Sequence, residues 1–334
     1  MTNGKYRVAI LGVGGMGKAH ANVLKEMADV ELAALCTEIV PEAEEYLAQT
    51  GLSCPIYTDF SKMLKKEPLD VLFVCLPPFA HIGQVEEAAA KGIHIFAEKP
   101  LALTVERAAS MTKAAREAGI HSQMGYQMRF GGAVQELKRR IEDGIAGTPT
   151  LFTARYECNS LHKPWWIRVE QCGGQVFEQV IHLYDMALYF MGDADVVSGF
   201  TANLEHQNVP GYTVEDTSAA SIRFKNGSLG NISGSNCAVP GNWLGMFRIV
   251  CGNLVADFQT PDEATFTYIK DGKPFAEHFS APANQRQLEV EHFMDVLRGK
   301  KAPFATFEDG LNGLRLVAGV VHSSEQDGAP VRIG

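Results

Sequence analysis

A glycine-rich turn near the start of the chain constrains the fold more than any other feature. The run Gly12–Gly17, with the pattern GxGxxG, follows the apolar segment Tyr6–Leu11 and opens a helical pattern. In that position the first glycine makes a tight turn, the second lets the backbone approach a pyrophosphate, and the third lets helix and strand pack closely. The N-terminus of the helix would offer its unpaired N–H groups to the phosphates. The turn therefore predicts a dinucleotide site, with a purely structural turn as the alternative.

The first 125 residues continue as an alternation of short apolar runs and helical patterns. This alternation is typical of a parallel sheet that helices cover on both faces, so we expect an α/β domain over residues 1–125. The predicted strands are Tyr6–Leu11, Val30–Cys36, Val71–Leu76, Ile93–Ala97 and His121–Met124. The predicted helices are Met16–Met27, Pro41–Thr50, Ser61–Lys66, His81–Lys91 and Thr104–Ala118.

From residue 126 to residue 334 the pattern predicts an α+β domain with a large, mostly antiparallel sheet. The pairs Asn226-Gly227 and Asp271-Gly272 are strong hairpin signals. The other predicted elements are helix Gly132–Glu142, strand Pro149–Cys158, loop Asn159–Gln175, the apolar helix Val176–Met191, strands and turns from Asp195 to about Lys270, and helices Asn284–Arg298 and Glu308–Ser323. We place the domain boundary near Gly125 and leave open that the C-terminal helix packs back on the first domain.

Composition and charge exclude several classes of function. The 334 residues are 46% hydrophobic and 21% charged, a balance typical of globular proteins. A net charge of -9 argues against a general binder of nucleic acids or membrane surfaces, because both need a basic face. The seven cysteines are scattered without a CxxC pair, which favours reduced thiols over disulfides or a zinc site. The apolar run Val8–Val13 is too short for a signal peptide or a membrane span, and we expect a cytoplasmic protein.

The residue that reads the cofactor ribose should follow the glycine turn by about 20 residues. That position is Thr37, followed by Glu38. An acid at Thr37 would have indicated NAD directly, whereas Glu38 is able to bind the ribose hydroxyls and to repel a 2′-phosphate. No lysine or arginine lies between Thr37 and Thr50 to receive such a phosphate. We therefore predict NAD as the cofactor, with NADP as the open alternative.

Two further segments carry candidate chemistry. Lys99, within Glu98-Lys99-Pro100, comes just after an apolar strand, where open parallel sheets bind their ligands. The alternative is a surface Lys-Pro pair at the start of a helix. Glu178, His182 and Asp185 lie at helical spacing within an apolar helix, where buried ionisable groups need partners or a function. Three interpretations are open for this trio: an acid–base site with His182 as the base, a metal site, or a core histidine beside a structural aspartate.

The order of several short blocks along the chain identifies a resemblance. The blocks are the glycine turn, Leu76-Pro77-Pro78 with His81, Glu98-Lys99-Pro100, Gly125-Tyr126-Gln127-Met128-Arg129-Phe130, Trp166-Ile167-Arg168, Gly173-Gly174-Gln175 leading into Glu178, His182 and Asp185, and Glu308-Asp309-Gly310. Together they resemble the Gfo/Idh/MocA family, the group of glucose–fructose oxidoreductase and inositol dehydrogenase. The resemblance implies an N-terminal Rossmann domain, a C-terminal domain with an open-faced sheet, and a sugar, polyol or sugar-derivative substrate.

The resemblance also implies roles for individual residues. Lys99 matches the catalytic lysine of the family and His182 its second catalytic group, and Glu178 matches their catalytic acid partner, at a position where many members have aspartate. The predicted cofactor-binding residues are Gly12, Gly14, Gly15, Met16, Gly17, Thr37, Glu38, Leu76, Pro77, His81, Glu98, Lys99 and Gln127. The predicted substrate-binding residues are Lys99, Arg129, Trp166, Arg168, Glu178 and His182, and Tyr156, Asn236 and Trp243 are weaker candidates.

Several of these residues also have structural explanations that need no ligand. His81 is equally able to cap the next helix, and Arg129 to form an ion pair at a domain interface. Trp165, Trp166 and Arg168 suit sugar binding through aromatic stacking and hydrogen bonds, but they also suit a loop anchor that packs on the domain.

We predict an NAD(P)-dependent oxidoreductase that moves hydride between a secondary alcohol and the nicotinamide, with Lys99 and His182 as the acid/base pair. The alternatives are an NAD-dependent glycosidase of the same fold and a non-catalytic sensor of sugars or dinucleotides. A large antiparallel sheet would leave one face without helices, so we expect a homodimer or homotetramer. The expected partner is a small sugar or polyol, with no nucleic acid and no membrane.

Overall fold

The computed structural model describes residues 4–334, in which the chain divides into two compact units. Residues 1–3, with which the predicted first domain begins, lie outside the described residues. The first unit comprises the described residues up to Ala102 together with Glu106–Gly125 and Arg286–Leu311. The second comprises Leu103–Val105, Tyr126–Gln285 and Asn312–Gly334. The predicted boundary at Gly125 coincides with one break between the units. The later segment Arg286–Leu311 belongs to the first unit.

The first unit contains a six-stranded sheet in which all neighbouring strands are parallel. Its strands are β1 (Tyr6–Leu11), β2 (Val30–Cys36), β3 (Ile56–Tyr57), β4 (Val71–Val74), β5 (His94–Ala97) and β6 (Ser122–Met124). The helices of this part of the chain are α1 (Gly15–Leu24), α2 (Val40–Thr50), α3 (Phe60–Lys66), α4 (Gln84–Ala89) and α5 (Val105–Glu117). The α/β expectation is confirmed, since apolar strands and helices alternate throughout.

The strand order β3-β2-β1-β4-β5-β6 is that of a Rossmann fold. The order reverses between β1 and β4, so that the connections leaving these two strands run in opposite directions. The divergence opens a crevice at the carboxyl ends of the strands, which is where such sheets bind ligands. The fold therefore places the glycine turn, which follows β1, at the edge of this crevice.

Local chain chemistry explains where the first unit departs from its predicted elements. The strand predicted to reach Leu76 ends at Val74, before the pair Pro77-Pro78. Residues Pro78–Ala80 form a 3-10 turn, and Gly83 has a φ of +139° that a helix does not accommodate, so α4 begins only at Gln84. Strand β3, which the sequence patterns did not predict, is a two-residue edge strand.

The core of the first unit is built from β1, β4 and β5 together with the helix Gln285–Leu297, which comes late in the chain. The rings of Phe73 and Phe96 stack with centroids 4.8 Å apart, and the ring of Phe293 packs against both. All three side chains are almost fully removed from solvent. Full burial of each contributes about 1.5–3 kcal/mol of hydrophobic free energy, so the late helix is an integral part of this unit. The two last helices of the chain are α9 (Gln285–Leu297) and α10 (Phe307–Glu325).

The second unit contains a nine-stranded sheet that is antiparallel except where β10 pairs with β7. Its strands are β7 (Pro149–Glu157), β8 (Ala194–Ala202), β9 (Thr217–Phe224), β10 (Leu229–Ser235), β11 (Leu244–Cys251), β12 (Leu254–Thr260), β13 (Glu263–Lys270), β14 (Lys273–Ser280) and β15 (Val331–Arg332). The helices of this part of the chain are α6 (Gly132–Glu142), α7 (Val169–Cys172) and α8 (Ile181–Met191). The expected mostly antiparallel sheet is confirmed.

Both predicted hairpins are confirmed. Strands β13 and β14 pair directly across Asp271-Gly272, whose φ angles of +51° and +74° are those of a tight two-residue turn. Strands β9 and β10 pair antiparallel across the turn that contains Gly227, with a φ of +87°. In β9 buried and exposed residues alternate, because only one face of the strand meets the core.

The apolar segment predicted as one α-helix, Val176–Met191, begins differently. Residues Val176–Val180 form a π-helical turn, and regular α-helix starts at Ile181. The predicted α-helical register is therefore wrong in its first turn. Such π-helical turns insert extra backbone into a helix and are common at functional sites. The loop predicted over Asn159–Gln175 also contains the short helix α7.

Two further properties concern the described residues as a set. Between residues 4 and 334, no helix combines the length and the apolar character that crossing a membrane requires. All seven cysteines are free thiols in the structure.

Candidate active site

The geometry of the glycine turn explains two of the three glycines of the GxGxxG pattern. Gly12 has a φ of +92°, and a Cβ there would lie 2.5 Å from the carbonyl oxygen of Cys75. A Cβ at Gly17 would lie 2.0 Å from the carbonyl oxygen of Gly12. Both positions therefore require glycine, the first for its backbone conformation and the second for close packing of α1.

Gly14 differs, because a Cβ built there would meet no atom within 4 Å. It occupies the N-cap position of α1, and no side chain caps that helix. The unpaired N–H groups of the first helical turn, which includes Gly15 and Met16, are thus left for an anion. Space beside Gly14 together with an uncapped helix N-terminus fits the pyrophosphate of a dinucleotide.

The end of β2 places Thr37 and Glu38 next to each other beyond the strand. The Thr37 hydroxyl accepts a hydrogen bond from the backbone N–H of Ile39 at 3.2 Å, which shapes the turn. Glu38 is exposed. An exposed carboxylate at this strand end is suited to the hydroxyls of a ribose and unsuited to a 2′-phosphate, as the sequence had suggested.

The segment after β4 contains Leu76, Pro77 and His81. The buried ring of His81 lies with Nε2 3.5 Å from the carbonyl oxygen of Leu76. Burial lowers the pKa of His81 to about 4, so its imidazole is neutral at physiological pH. Within this segment the His81 ring contacts the carbonyl oxygen of Leu76.

Lys99 follows the last residue of β5 by two positions and is joined to Pro100 by a cis peptide bond. The preceding residue, Glu98, turns its carboxylate into the protein, where Oε1 lies 2.7 Å from His20 Nε2. The other oxygen accepts a hydrogen bond of 3.3 Å from the backbone N–H of Lys99. Lys99 therefore lies at the carboxyl edge of the parallel sheet, on a backbone that Glu98 holds.

Glu98 belongs to a buried cluster that the sequence analysis missed. Ligand atoms of Glu98, His20 and Glu289 all lie within 4.8 Å of one another. Glu289, from α9, is fully buried, and within residues 4–334 neither carboxylate oxygen has a hydrogen-bond partner. Burial, reinforced by the charge of Glu98, raises the pKa of Glu289 well above the usual carboxyl range. We infer that Glu289 is neutral, because an unpaired buried carboxylate would cost too much free energy.

Glu178 lies in the π-helical turn and lines a cavity within the second unit that is open to solvent. The amide of Gln179 donates a hydrogen bond to Glu178 Oε2 and accepts one of 2.8 Å from the hydroxyl of Tyr156. Glu178 and Gln179 are both buried. This chain of hydrogen bonds orients the Glu178 carboxylate from the sheet side, and Gln179 had not been predicted.

His182 and Asp185 follow on α8 and differ in their surroundings. Asp185 forms a buried ion pair with Arg129, with Arg129 Nη2 2.6 Å and Nε 3.0 Å from the two carboxylate oxygens. The two side chains are 1% and 5% exposed, so the pair is part of the core of the second unit. His182 is half-buried one helical turn before Asp185. The ion pair gives Asp185 a structural role, and Arg129 is its partner within one unit.

The remaining candidates occupy the loop before the π-helical turn and the strands nearby. Trp166 lines the cavity, whereas Arg168 is exposed and Trp165 packs on Trp166 with ring centroids 5.5 Å apart. Asn236 also lines the cavity, but its side chain is committed to Ser160 and Cys158. Gln127 is partly exposed in a 3-10 turn.

Glu215 is another residue that the sequence patterns did not indicate. Its Oε1 accepts a hydrogen bond of 2.7 Å from the backbone N–H of Val176, the first residue of the π-helical turn. A Cβ on Gly174, whose φ is +110°, would lie 2.5 Å from Oε2. Glu215 therefore caps the helix that carries Glu178 and His182, and the positive φ of Gly174 explains why glycine occupies that position.

Comparison with known proteins identifies a family for both parts of the chain. Residues 6–126 match the family described as "Oxidoreductase family, NAD-binding Rossmann fold", and residues 134–253 match the "GFO/IDH/MocA C-terminal domain". The chain is 26% identical to scyllo-inositol 2-dehydrogenase (NAD(+)) of Bacillus subtilis (strain 168), over 98% of this chain and 96% of that protein. It is 27% identical to D-glucoside 3-dehydrogenase of Escherichia coli (strain K12), over 97% of each.

A solved structure of levoglucosan dehydrogenase in complex with NADH and L-sorbose has a similar fold. The TM-score is 0.90 with 21% sequence identity, and the match covers 99% of both chains. An identity this low supports the fold alone, whereas the two family matches together cover most of the chain. The chain belongs to the Gfo/Idh/MocA family of NAD-binding oxidoreductases.

Proposed function

We propose that the protein transfers hydride between a secondary alcohol of a sugar, cyclic polyol or sugar derivative and the nicotinamide of NAD, with Lys99 and His182 as the acid/base pair. The observation that carries this proposal is the position of Lys99. It lies just beyond β5, at the same carboxyl edge of the parallel sheet as the glycine turn after β1. The names of two relatives, an inositol dehydrogenase and a glucoside dehydrogenase, support the substrate class.

The bound cofactor supplies the hydride acceptor at its nicotinamide ring. In the oxidation, the carbon that bears the hydroxyl group gives its hydride to the nicotinamide while His182 takes the hydroxyl proton. Histidine suits this role because its side chain generally titrates near neutral pH. The Lys99 ammonium stabilises the negative charge that develops on the oxygen. Glu178, held by Gln179, orients the substrate or the imidazole. Lys99 itself is held by the Glu98 contact to its backbone N–H.

Activity measurements on site variants test the proposal. Lys99→Ala and His182→Ala should each lower kcat by about 10²–10⁴-fold while NAD still binds. Lys99→Arg should also fail, because a planar guanidinium does not replace a compact ammonium. Reduction of NAD is followed by absorbance across a panel of sugars and inositols, and NAD binding by protein fluorescence. Lys91→Ala and His278→Ala, both at exposed positions, are the matched controls. Full activity in either site variant would refute the assignment.

We further propose a homo-oligomer that associates through the sheet of the second unit. Leu151 on β7 and Leu229 on β10 are exposed by 38% and 53% and lie opposite each other in the strand register. Adjacent exposed leucines on a broad sheet favour self-association. Light scattering should show a dimer or tetramer that Leu151→Glu with Leu229→Glu converts to monomer. A wild-type monomer at micromolar concentration would contradict the proposal.

A further inference from the structure

The cavity beside Glu178 contains buried polar atoms that the protein does not satisfy. The side chain of Gln175, only 6% exposed, has an Oε1 without a hydrogen-bond partner in residues 4–334. The indole Nε1 of Trp166 is buried and likewise lacks an acceptor there. Both residues line the cavity. Buried donors and acceptors are normally paired, so one unused donor and one unused acceptor at a cavity wall indicate a polar ligand.

The two unsatisfied atoms match the chemistry of a hydroxylated carbon. A hydroxyl group both accepts and donates a hydrogen bond, so it can serve the Trp166 N–H and the Gln175 carbonyl together. Neighbouring hydroxyls on one ring can also divide these roles. Other polar side chains of the cavity are committed already, since Gln179 bonds Glu178 and Tyr156. The Trp166 N–H and the Gln175 oxygen therefore remain for a ligand that both accepts and donates hydrogen bonds.

The charge of the cavity wall restricts the ligand further. Among the described lining residues, the ionisable side chains are those of Glu178, His162 and Tyr212, and none is lysine or arginine. Beyond the wall, Glu215 caps the same helix with a second carboxyl group. A carboxylate or phosphate in the cavity would lie near acidic groups without a lysine or arginine from the wall to pair with it.

The aromatic side chains at the cavity suit the face of a sugar ring. The Trp166 ring packs edge-on against the His162 ring, with centroids 3.6 Å apart, and Trp243 lies 4.7 Å from His162. Such rings contact the apolar C–H faces of sugars while an indole N–H binds a hydroxyl.

We propose that this cavity receives an uncharged monosaccharide or cyclitol ring, whose hydroxyls accept from Trp166 Nε1 and donate to Gln175 Oε1. The inference rests on the proposed dehydrogenase function and narrows its substrate class to neutral compounds, without a carboxylate or a phosphate on the ring held here. Trp166 and Gln175 then act as specificity residues that bind substrate, separate from the groups that move the proton.

Matched pairs of ligands test the charge preference by direct binding. Calorimetry on the NAD-loaded protein would compare D-glucose with D-glucuronate, and myo-inositol with myo-inositol 1-phosphate. We expect the neutral member of a pair to bind at least about tenfold more tightly. Tighter binding of an anionic member, or binding by no neutral member, would overturn the inference. Failure of the proposed function is distinct, because neutral ligands would then bind without any reduction of NAD.

Variants test the two contacts. Trp166→Phe and Gln175→Leu should each raise the dissociation constant of a neutral ligand by about tenfold or more, since each removes one hydrogen bond. Gln326→Leu, the same change at an exposed glutamine outside the cavity, should leave the dissociation constant within about twofold. If Trp166→Phe or Gln175→Leu behaves like Gln326→Leu, the corresponding contact is refuted.

Adding a positive charge at an exposed position provides the complementary test, because an exposed substitution should not disturb folding. Leu161 lines the cavity and is 45% exposed, so Leu161→Lys adds a cation at the mouth without burying it. The variant should bind D-glucuronate more tightly relative to D-glucose than the wild type does, by about threefold to tenfold. An unchanged ratio would mean that charge at the cavity wall does not determine the choice of ligand.

Discussion

The Glu215 carboxyl group provides a test of how the active-site helix is held. Glu215 caps Val176 through a 2.7 Å hydrogen bond, and its second oxygen lies against Gly174. Burial raises the pKa of Glu215 from 4.5 to about 7, even though backbone N–H groups at Val176 and Gln175 oppose the rise. The perturbation is Glu215→Gln, which keeps an acceptor oxygen for Val176 and removes the titration.

The sign of the expected pH dependence follows from the raised pKa. Between about pH 4.5 and pH 7 the unfolded chain releases the proton of Glu215, while the folded protein retains it. The wild type is therefore fully stabilised below the unfolded pKa and loses stability as the pH rises through this window. At about 1.4 kcal/mol per pH unit the limit is about 3 kcal/mol, and the partial exposure of Glu215 reduces our expectation to about 2 kcal/mol.

The assay is urea unfolding of the wild type and of Glu215→Gln at several values between about pH 5 and pH 8. The variant should gain about 2 kcal/mol relative to the wild type across this range. The comparison cancels other titrating neighbours, including Asp216, Cys172 and Tyr184, because both proteins contain them. Glu170→Gln, at an exposed position in α7, is the matched control and should show no such trend. A constant difference between variant and wild type across the range would refute the reasoning.

Two further predictions concern buried charge. Asp185→Ala should lower the free energy of unfolding by about 3–5 kcal/mol, because it leaves the buried guanidinium of Arg129 without that carboxylate. The double variant Arg129→Met with Asp185→Leu should recover most of the loss in urea unfolding, and an equal loss in both proteins would contradict the explanation. Glu289→Gln should change stability at neutral pH by less than about 1 kcal/mol because the carboxyl is already neutral, whereas Glu289→Ala should cost about 2–3 kcal/mol through its cavity. Equal losses in these two variants would show that Glu289 is ionised.

Elements with a strong local pattern were predicted accurately. The bounds of β1 and β2 and of helix α6 agree with the sequence expectation, because each has a clear apolar pattern. The hairpin at Asp271-Gly272 is a further local case, since two residues determine the turn. Strand β3 escaped prediction because two partly buried residues carry almost no periodic signal.

The first turn of the active-site helix shows where local patterns fail. Helical spacing from Val176 onwards is compatible with α-helix, and the sequence contains no signal that distinguishes a π-helical turn. The start of this helix is held by Glu215, which is distant in sequence, through backbone N–H groups that include that of Val176. A contact between segments that are far apart in the chain leaves no period in either of them.

The sequence by itself determined the glycine turn and the two fold classes, because these depend on neighbours within a few positions. The order of its motifs along the chain also indicated the candidate catalytic residues, through the resemblance to a family. Only the tertiary structure decided which groups support them. Glu289 beside Glu98, Glu215 on Val176, and the unsatisfied atoms of Trp166 and Gln175 all arise where distant segments exclude water together. Burial raises the free-energy cost of each unpaired charge or donor, and burial is a property of the packed fold rather than of any segment.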